Sequence, residues 1–185
     1  MKVEPFIELK DIKSIKKLLT DNLRDRLLFI MGVNSGLRVQ DLLALRVSTV
    51  SSLKAGDRVT LREKKTGKEN VLIINKEIYD ALAEFLRVSK SKEEHFLFKS
   101  RKGKNYPLTT FAITKFVKML AKTLNIRGNF GAHSLRKTWC YHQRKTFGVS
   151  WEVIAKRLNH SNPAITRRYL GIQEEEVEEI LLNTI

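Results

Sequence analysis

A mainly α-helical domain carrying one small antiparallel β-hairpin, an α+β arrangement, is the fold that this 185-residue sequence predicts. Three observations predict it. Apolar residues recur at helical spacing through most of the chain, and one pair of short β-branched runs flanks a single glycine turn. Only 3 prolines and 9 glycines interrupt the whole. With 42% hydrophobic residues, the chain has the apolar content to offset its conformational entropy, which excludes a mainly disordered protein. There is no internal repeat and no linker-like tract, so one domain over residues 1–171 is expected, followed by an acidic tail over 172–185.

The elements follow in order. A polar, Lys-rich helix is expected over Ile12–Thr20, then a helix over Asp21–Ser35 with Leu23, Leu27, Leu28, Ile30 and Met31 on its apolar face. Ser35-Gly36 breaks the pattern, and helical spacing resumes over Val39–Leu45. Asp57–Arg62 and Asn70–Asn75 are the two strands, joined by a turn containing Lys64-Lys65-Thr66-Gly67-Lys68. Helices return at Glu77–Val88 and Thr109–Leu124, with a basic loop, Ser100–Pro107, between them. A further helix is expected over Ser134–Thr146. Ser150 then caps Trp151–Leu158, and Pro163 opens a short helix that Gly171 closes. The tail can form a last amphipathic helix over Glu174–Leu182.

Charge narrows the partners. There are 35 Lys+Arg against 20 Asp+Glu, a net +15, and five of the glutamates lie in residues 172–185. Residues 1–171 therefore carry 35 basic against 15 acidic residues, a net +20. Such a surplus favours a polyanion, with nucleic acid first. A membrane surface would call for a basic amphipathic helix with a strong apolar face, and no apolar run approaches the roughly 18 residues that cross a bilayer. A cytoplasmic, nucleoid-associated protein is expected. The single cysteine, Cys140, cannot form an internal disulfide and reads as a small buried hydrophobe beside Trp139.

Metal and nucleotide chemistry find no support in the motifs. His95, His133, His142 and His160 lack metal-ligand spacing, and neither GxxxxGK[ST] nor GxGxxG occurs, so no metal and no cofactor is expected. A Cys140–His142 nucleophile pair is disfavoured, because i and i+2 point apart on a helix. What remains is a set of cationic and hydrogen-bonding residues, each behind a structural break. Arg38 follows Ser35-Gly36-Leu37 at a helix start, where the helix end itself favours a phosphate. Lys65 sits at the hairpin tip with Lys64 and Lys68. His133 and Arg136 stand three apart and can project toward one anion. His160 ends one helix, Asn162-Pro163 turns the chain, and Tyr169 lies about two turns along the next.

In this order and spacing, SGLRVQDLLAL, KKTGK between two strands, HSLR and LNHSNPAITRRY resemble the catalytic domain of the tyrosine recombinases, or phage integrase family. The likeness spans nearly the whole chain and implies that family's catalytic-domain fold. It implies Arg38 and Arg136 as active-site arginines, Lys65 as the hairpin lysine, with Lys64 the alternative, and His133 and His160 as the two histidines. Tyr169 becomes the nucleophile, and Asp41, one turn after Arg38, a supporting acid. Two departures stand out. Asn159 replaces the glycine that usually precedes the second histidine, and Asn tolerates a left-handed backbone better than most residues. Few residues precede Arg38, so little room is left for the amino-terminal DNA clamp of many members; single-domain fimbrial switch invertases are nearest in length.

The activity implied is site-specific DNA cutting and rejoining through a 3′-phosphotyrosyl intermediate, without metal or ATP, as in integration of mobile elements. The alternatives are a DNA-binding regulator that keeps the fold, and type IB topoisomerase-like relaxation. Lys64, Lys68, Lys102, Lys104, Lys115 and Lys118 are expected to line double-stranded DNA. Self-association from dimer to tetramer on DNA and DNA-bending accessory proteins are the further partners implied. The tail either caps its own domain or is exchanged between protomers.

Overall fold

The computed structural model describes residues 2–171, 181, 182 and 184. It contains α1 (Leu9–Leu18), α2 (Leu23–Ser35), α3 (Val39–Leu42), α4 (Val47–Val50), β1 (Arg58–Arg62), β2 (Glu69–Ile73), α5 (Lys76–Val88), α6 (Thr110–Thr123), α7 (Ala132–Lys145), α8 (Trp151–Arg157) and α9 (Pro163–Leu170). The strands pair antiparallel, with Arg58 opposite Ile73 and Arg62 opposite Glu69. The mainly helical fold with one hairpin is thus the one expected. The helix expected over 174–182 lies outside the described residues apart from Leu181 and Leu182.

Most boundaries follow from local chemistry. Asn75, Thr109 and Asn162 accept from the N–H groups of Ile78, Ala112 and Ile165 at 2.9, 3.1 and 3.1 Å, which satisfies donors that a helix start leaves unpaired. Ser150 caps α8 and Pro163 opens α9, as expected. Other limits shift. The first helix begins at Leu9 rather than Ile12, and α7 begins at Ala132, where the Ser134 hydroxyl accepts from the Gly131 N–H at 3.0 Å. The helix expected to reach Leu45 stops at Leu42. The Leu45 carbonyl instead accepts from Leu97 N–H at 2.8 Å, and Arg46 bridges to Phe96, so the chain is drawn out of the helix. The short α4 that follows was not expected.

The core is built around α2. Leu27, Leu28, Phe29, Ile30 and Met31 are all buried, so this helix has apolar neighbours on every side rather than one wet face. It packs on α5 and α7. Gly32 permits the approach to α7, because a Cβ there would stand 2.7 Å from Leu135 Cδ1. The amino-terminal strap is pinned to α7 as well: Phe6 N–H donates to Thr138 Oγ1 at 2.8 Å, and its carbonyl meets His142 Nε2 at 3.1 Å. A second, smaller cluster of Cys140, Ile154, Leu158 and Leu170 joins α7, α8 and α9. Burial pushes the Cys140 thiol up to about 11, which suits an inert hydrophobe.

Candidate active site

Five breaks in regular structure converge on one face. Gly36 ends α2 with φ 65°, a left-handed conformation that glycine adopts without strain, and its Cα lies against the Trp139 indole. Two residues on, Arg38 stands at the cap of α3 and forms an ion pair with Glu63 at 2.5 Å. The hairpin loop meets the same segment a second time, where Lys64 N–H donates to Asp41 Oδ1 at 2.9 Å. Lys64, Lys65 and Lys68 are exposed on that loop. Asp41 is 3% exposed, and burial raises its carboxyl above the usual value, helped by Glu63 and opposed by Arg38 and Arg136.

Glu63 behaves in the opposite way. It is 1% exposed, and burial alone would raise it, yet hydrogen bonds from Thr66 and Asn70 and the Arg38 guanidinium hold it at about 2. Thr66 Oγ1 donates to Oε2 at 2.5 Å and Asn70 Nδ2 to Oε1 at 2.7 Å. Arg157 continues the network, donating to Asn70 Oδ1 and to the Ser35 carbonyl. The hairpin, the end of α2 and α8 are thereby tied together.

His133 and Arg136 project from the first turns of α7. Arg136 is 2% exposed; Nη2 donates to the Leu158 carbonyl at 2.7 Å, and Nη1 is buried without a hydrogen-bond partner. Burial, then Arg38, lowers it to about 10, so it stays charged at neutral pH. The His133 imidazole is held below the ordinary histidine value, first by desolvation and then by Arg136, Lys65 and Arg38.

Asn159 takes φ 54° and donates to the Glu69 carbonyl at 2.9 Å, so the residue in place of glycine does adopt the left-handed turn. His160 follows, with Nδ1 2.9 Å from Thr166 Oγ1 and its ring edge-on to Tyr169 at 5.7 Å. Burial, reinforced by Arg136 and Arg38, lowers His160 to about 4. The Tyr169 hydroxyl is buried without a partner and raised to about 12, by burial first and against the pull of Arg136 and Arg38. Lys137, 3% exposed, places its ammonium 5.2 Å from the centre of the Tyr169 ring.

The structure thus brings Arg38, Asp41, Lys65, His133, Arg136, His160 and Tyr169 to one site. The other lysines divide. Lys102 and Lys115 line a cleft of about 480 Å³ with Arg24, Arg101 and Phe111, whereas Lys118 lines a separate recess of about 320 Å³. Lys104 is exposed on the loop beside the cleft. Cys140 and His142 serve different ends of the core, so they form no pair. Glu63, Asn70, Arg157 and Lys137 were not foreseen. Among the described residues, no group of three or more His, Cys, Asp or Glu could hold a metal, and no helix is long and apolar enough to cross a membrane. Two arginines, two histidines and an unpartnered phenol brought together suit a tetrahedral anion and an oxygen nucleophile.

The family model described as the phage integrase family matches residues 5–176. A probable integrase/recombinase, YoeC of Bacillus subtilis, is 34% identical over 175 residues, covering 94% of this chain and 92% of the relative. The tyrosine recombinase XerA of Pyrococcus horikoshii is 26% identical over 169 residues, covering 90% of this chain but 58% of that protein. Among solved structures, that of XerA recombinase superposes with a TM-score of 0.77 at 21% identity, covering 97% of this chain and 65% of that one. XerH recombinase bound to a palindromic difH substrate after cleavage gives 0.76 at 20% identity, covering 98% and 53%.

Proposed function

The chain belongs to the phage integrase family, the tyrosine recombinases, and from that premise we propose that it cuts and rejoins double-stranded DNA at specific sites through a 3′-phosphotyrosyl intermediate. One observation carries the reading: a buried arginine donor, Arg136 Nη1, and a buried phenol, Tyr169 Oη, both lack a hydrogen-bond partner, and the Tyr169 ring stands edge-on to His160. Buried polar groups ordinarily find partners, and the group that satisfies all of these is a phosphate.

In the cleavage step Tyr169 Oη forms a bond to the scissile phosphorus and the bond from phosphorus to O5′ breaks. The phenolic proton goes to His133, whose imidazole is held below the ordinary histidine value first by desolvation and then by its cationic neighbours. The electron pair of the broken bond goes to O5′, which takes a proton from Lys65 and leaves as a 5′-hydroxyl. Arg38 and Arg136 remain charged while negative charge gathers on the non-bridging oxygens, and bidentate guanidinium donors suit that charge. The role assigned to His160 requires the tautomer in which Thr166 Oγ1 donates to Nδ1 and the opposite nitrogen carries a hydrogen for the phosphate. Attack by another strand's 5′-hydroxyl reverses these transfers. The bond energy stays in the phosphotyrosine, so rejoining needs no nucleotide.

Each protomer supplies one such tyrosine, and exchange between two duplexes cuts four strands. The enzyme therefore acts as a dimer to tetramer assembled on DNA, with the Lys102–Lys115 cleft and the hairpin lysines against the backbone. DNA-bending partners belong to the same assembly.

The test is capture of covalent adducts from a library of nicked suicide duplexes with randomised half-sites, in detergent. The wild-type chain should retain DNA, and peptide mapping should place it on Tyr169. Adducts formed equally by a Tyr169→Phe variant, or mapped to another residue, would refute the assignment.

A further inference from the structure

Lys65 is exposed at a loop tip, yet a general acid must meet the leaving oxygen within hydrogen-bond reach at the moment of transfer. Two strands form only a marginal platform by themselves. What fixes the loop is a buried carboxylate. Glu63 immediately precedes Lys64-Lys65-Thr66-Gly67, its N–H donates to the Lys68 carbonyl, and its own carbonyl accepts from Gly67 N–H, each at 2.9 Å. Its side chain then turns inward. Oε2 takes the Thr66 hydroxyl and pairs with Arg38, while Oε1 takes Asn70.

A carboxylate beside a phosphate site opposes anion binding, so its presence calls for a compensating use. The contacts supply one. One oxygen, Oε2, holds both the residue after Lys65 and the arginine expected to grip the phosphate, so acid and phosphate are set in one frame. The second tether, Lys64 N–H to Asp41, lies on the other side of Lys65. From the strand-transfer reading above and this geometry, we infer that Glu63 is the positioning residue of the general acid: through Thr66 and Arg38 it sets Lys65 against the leaving O5′.

The chemistry of the leaving group gives a test that a merely structural role would not satisfy. When the 5′-bridging oxygen is replaced by sulfur, the same bond to phosphorus breaks, but the electron pair goes to a thiolate. A thiol has a pKa of about 8.5, far below that of an alcohol, and its thiolate leaves without a donated proton. Single-turnover adduct formation is measured on matched oxygen and sulfur suicide duplexes recovered from the library, for the full chain and for Lys65→Ala, Glu63→Ala and Thr66→Val. Thr66→Val keeps the exposed β-branched shape and the Glu63–Arg38 pair, so it remains informative if Glu63→Ala misfolds.

All three variants should slow the oxygen duplex, Lys65→Ala and Glu63→Ala by about 10²-fold or more, as expected for loss of a general acid. On the sulfur duplex Lys65→Ala and Thr66→Val should return to within about ten-fold of wild type, a recovery that separates proton donation from other causes, whereas Glu63→Ala should recover only in part because Arg38 also loses its partner. Rescue of Lys65→Ala without rescue of Thr66→Val, or no slowing of Thr66→Val on oxygen, overturns the role of Glu63 alone. Failure of sulfur to rescue Lys65→Ala overturns the acid assignment and this inference with it. A wild-type chain that forms no adduct with either duplex overturns the strand-transfer reading itself.

Discussion

Substituting Gly36 by alanine tests how the arginine segment is built. Gly36 holds φ 65°, and a Cβ there would stand 2.8 Å from Cδ2 and Cε3 of Trp139. A non-glycine residue in the left-handed region costs about 1–2 kcal/mol. Forcing a methyl into packed surroundings adds about 1–3 kcal/mol, since an indole ring cannot yield like the end of a flexible chain. The expected loss is therefore about 2–5 kcal/mol out of a typical total of about 5–15. Gly148→Ala provides the control. It has nearly the same φ, 66°, but nothing within 4 Å of the added atom, so it should lose only the backbone share. Urea unfolding followed by circular dichroism measures both, and the excess of Gly36→Ala over Gly148→Ala reads the clash with Trp139. Adduct formation should fall more steeply than the folded fraction, because Arg38 lies two residues away. Equal losses in the two variants, or full activity in folded Gly36→Ala, would refute the reasoning.

Tyr169→Phe should end adduct formation and raise the unfolding free energy in urea slightly, by about 1 kcal/mol or less, because the hydroxyl it removes is buried without a partner. Stability should fall as pH drops from about 6.5 to about 4: the unfolded chain protonates its histidines near 6.5, whereas folded His160 holds off the proton until about 4, so acid favours unfolding. Glu63, held at about 2, extends the same loss below 4.5; a flat urea midpoint across pH 4–7 would contradict the His160 share, and a flat one from pH 4.5 to 2 the Glu63 share. Arg157→Met should cost about 2–3 kcal/mol in urea unfolding, since it removes charge-assisted bonds to Asn70 and Ser35 but keeps the aliphatic stem. Replacing Lys102 and Lys115 by alanine should flatten the slope of log K against log salt by about 1 for each phosphate no longer neutralised, measured by fluorescence anisotropy on duplex DNA.

The parts of the site that were legible in the sequence share a property: each sits behind a punctuation mark. Gly36 announces Arg38, Gly131 and Ser134 announce His133 and Arg136, and Asn162-Pro163 announces Tyr169, because caps and turns are written locally. Glu63, Asn70 and Arg157 carry no such mark. Each is a polar residue of a kind usually solvated, and Glu63 and Asn70 are buried and Arg157 half-buried because segments far apart in the chain meet: Arg157 reaches Asn70 across 87 residues and Ser35 across 122. The burial of α2 was half visible. Spacing gave it one apolar face, but the unbroken run Leu27-Leu28-Phe29-Ile30-Met31 fits a helix enclosed on all sides. The early end of α3 depends on Leu97 and Phe96, which no window around Leu45 contains.

The hairpin has a consequence for heat. Its inner residues, Val59 and Leu61 on β1 and Leu72 on β2, lean on the helical core, and among the described residues its only ladder is the one between its own two strands. Regions with few buried contacts open at lower free energy than the whole. As temperature rises, the loop bearing Lys65 should let go while the helices around Arg136 and Tyr169 are still intact. Such an enzyme would lose turnover below its melting point and regain it on cooling, and in that interval it would hold DNA without cutting it.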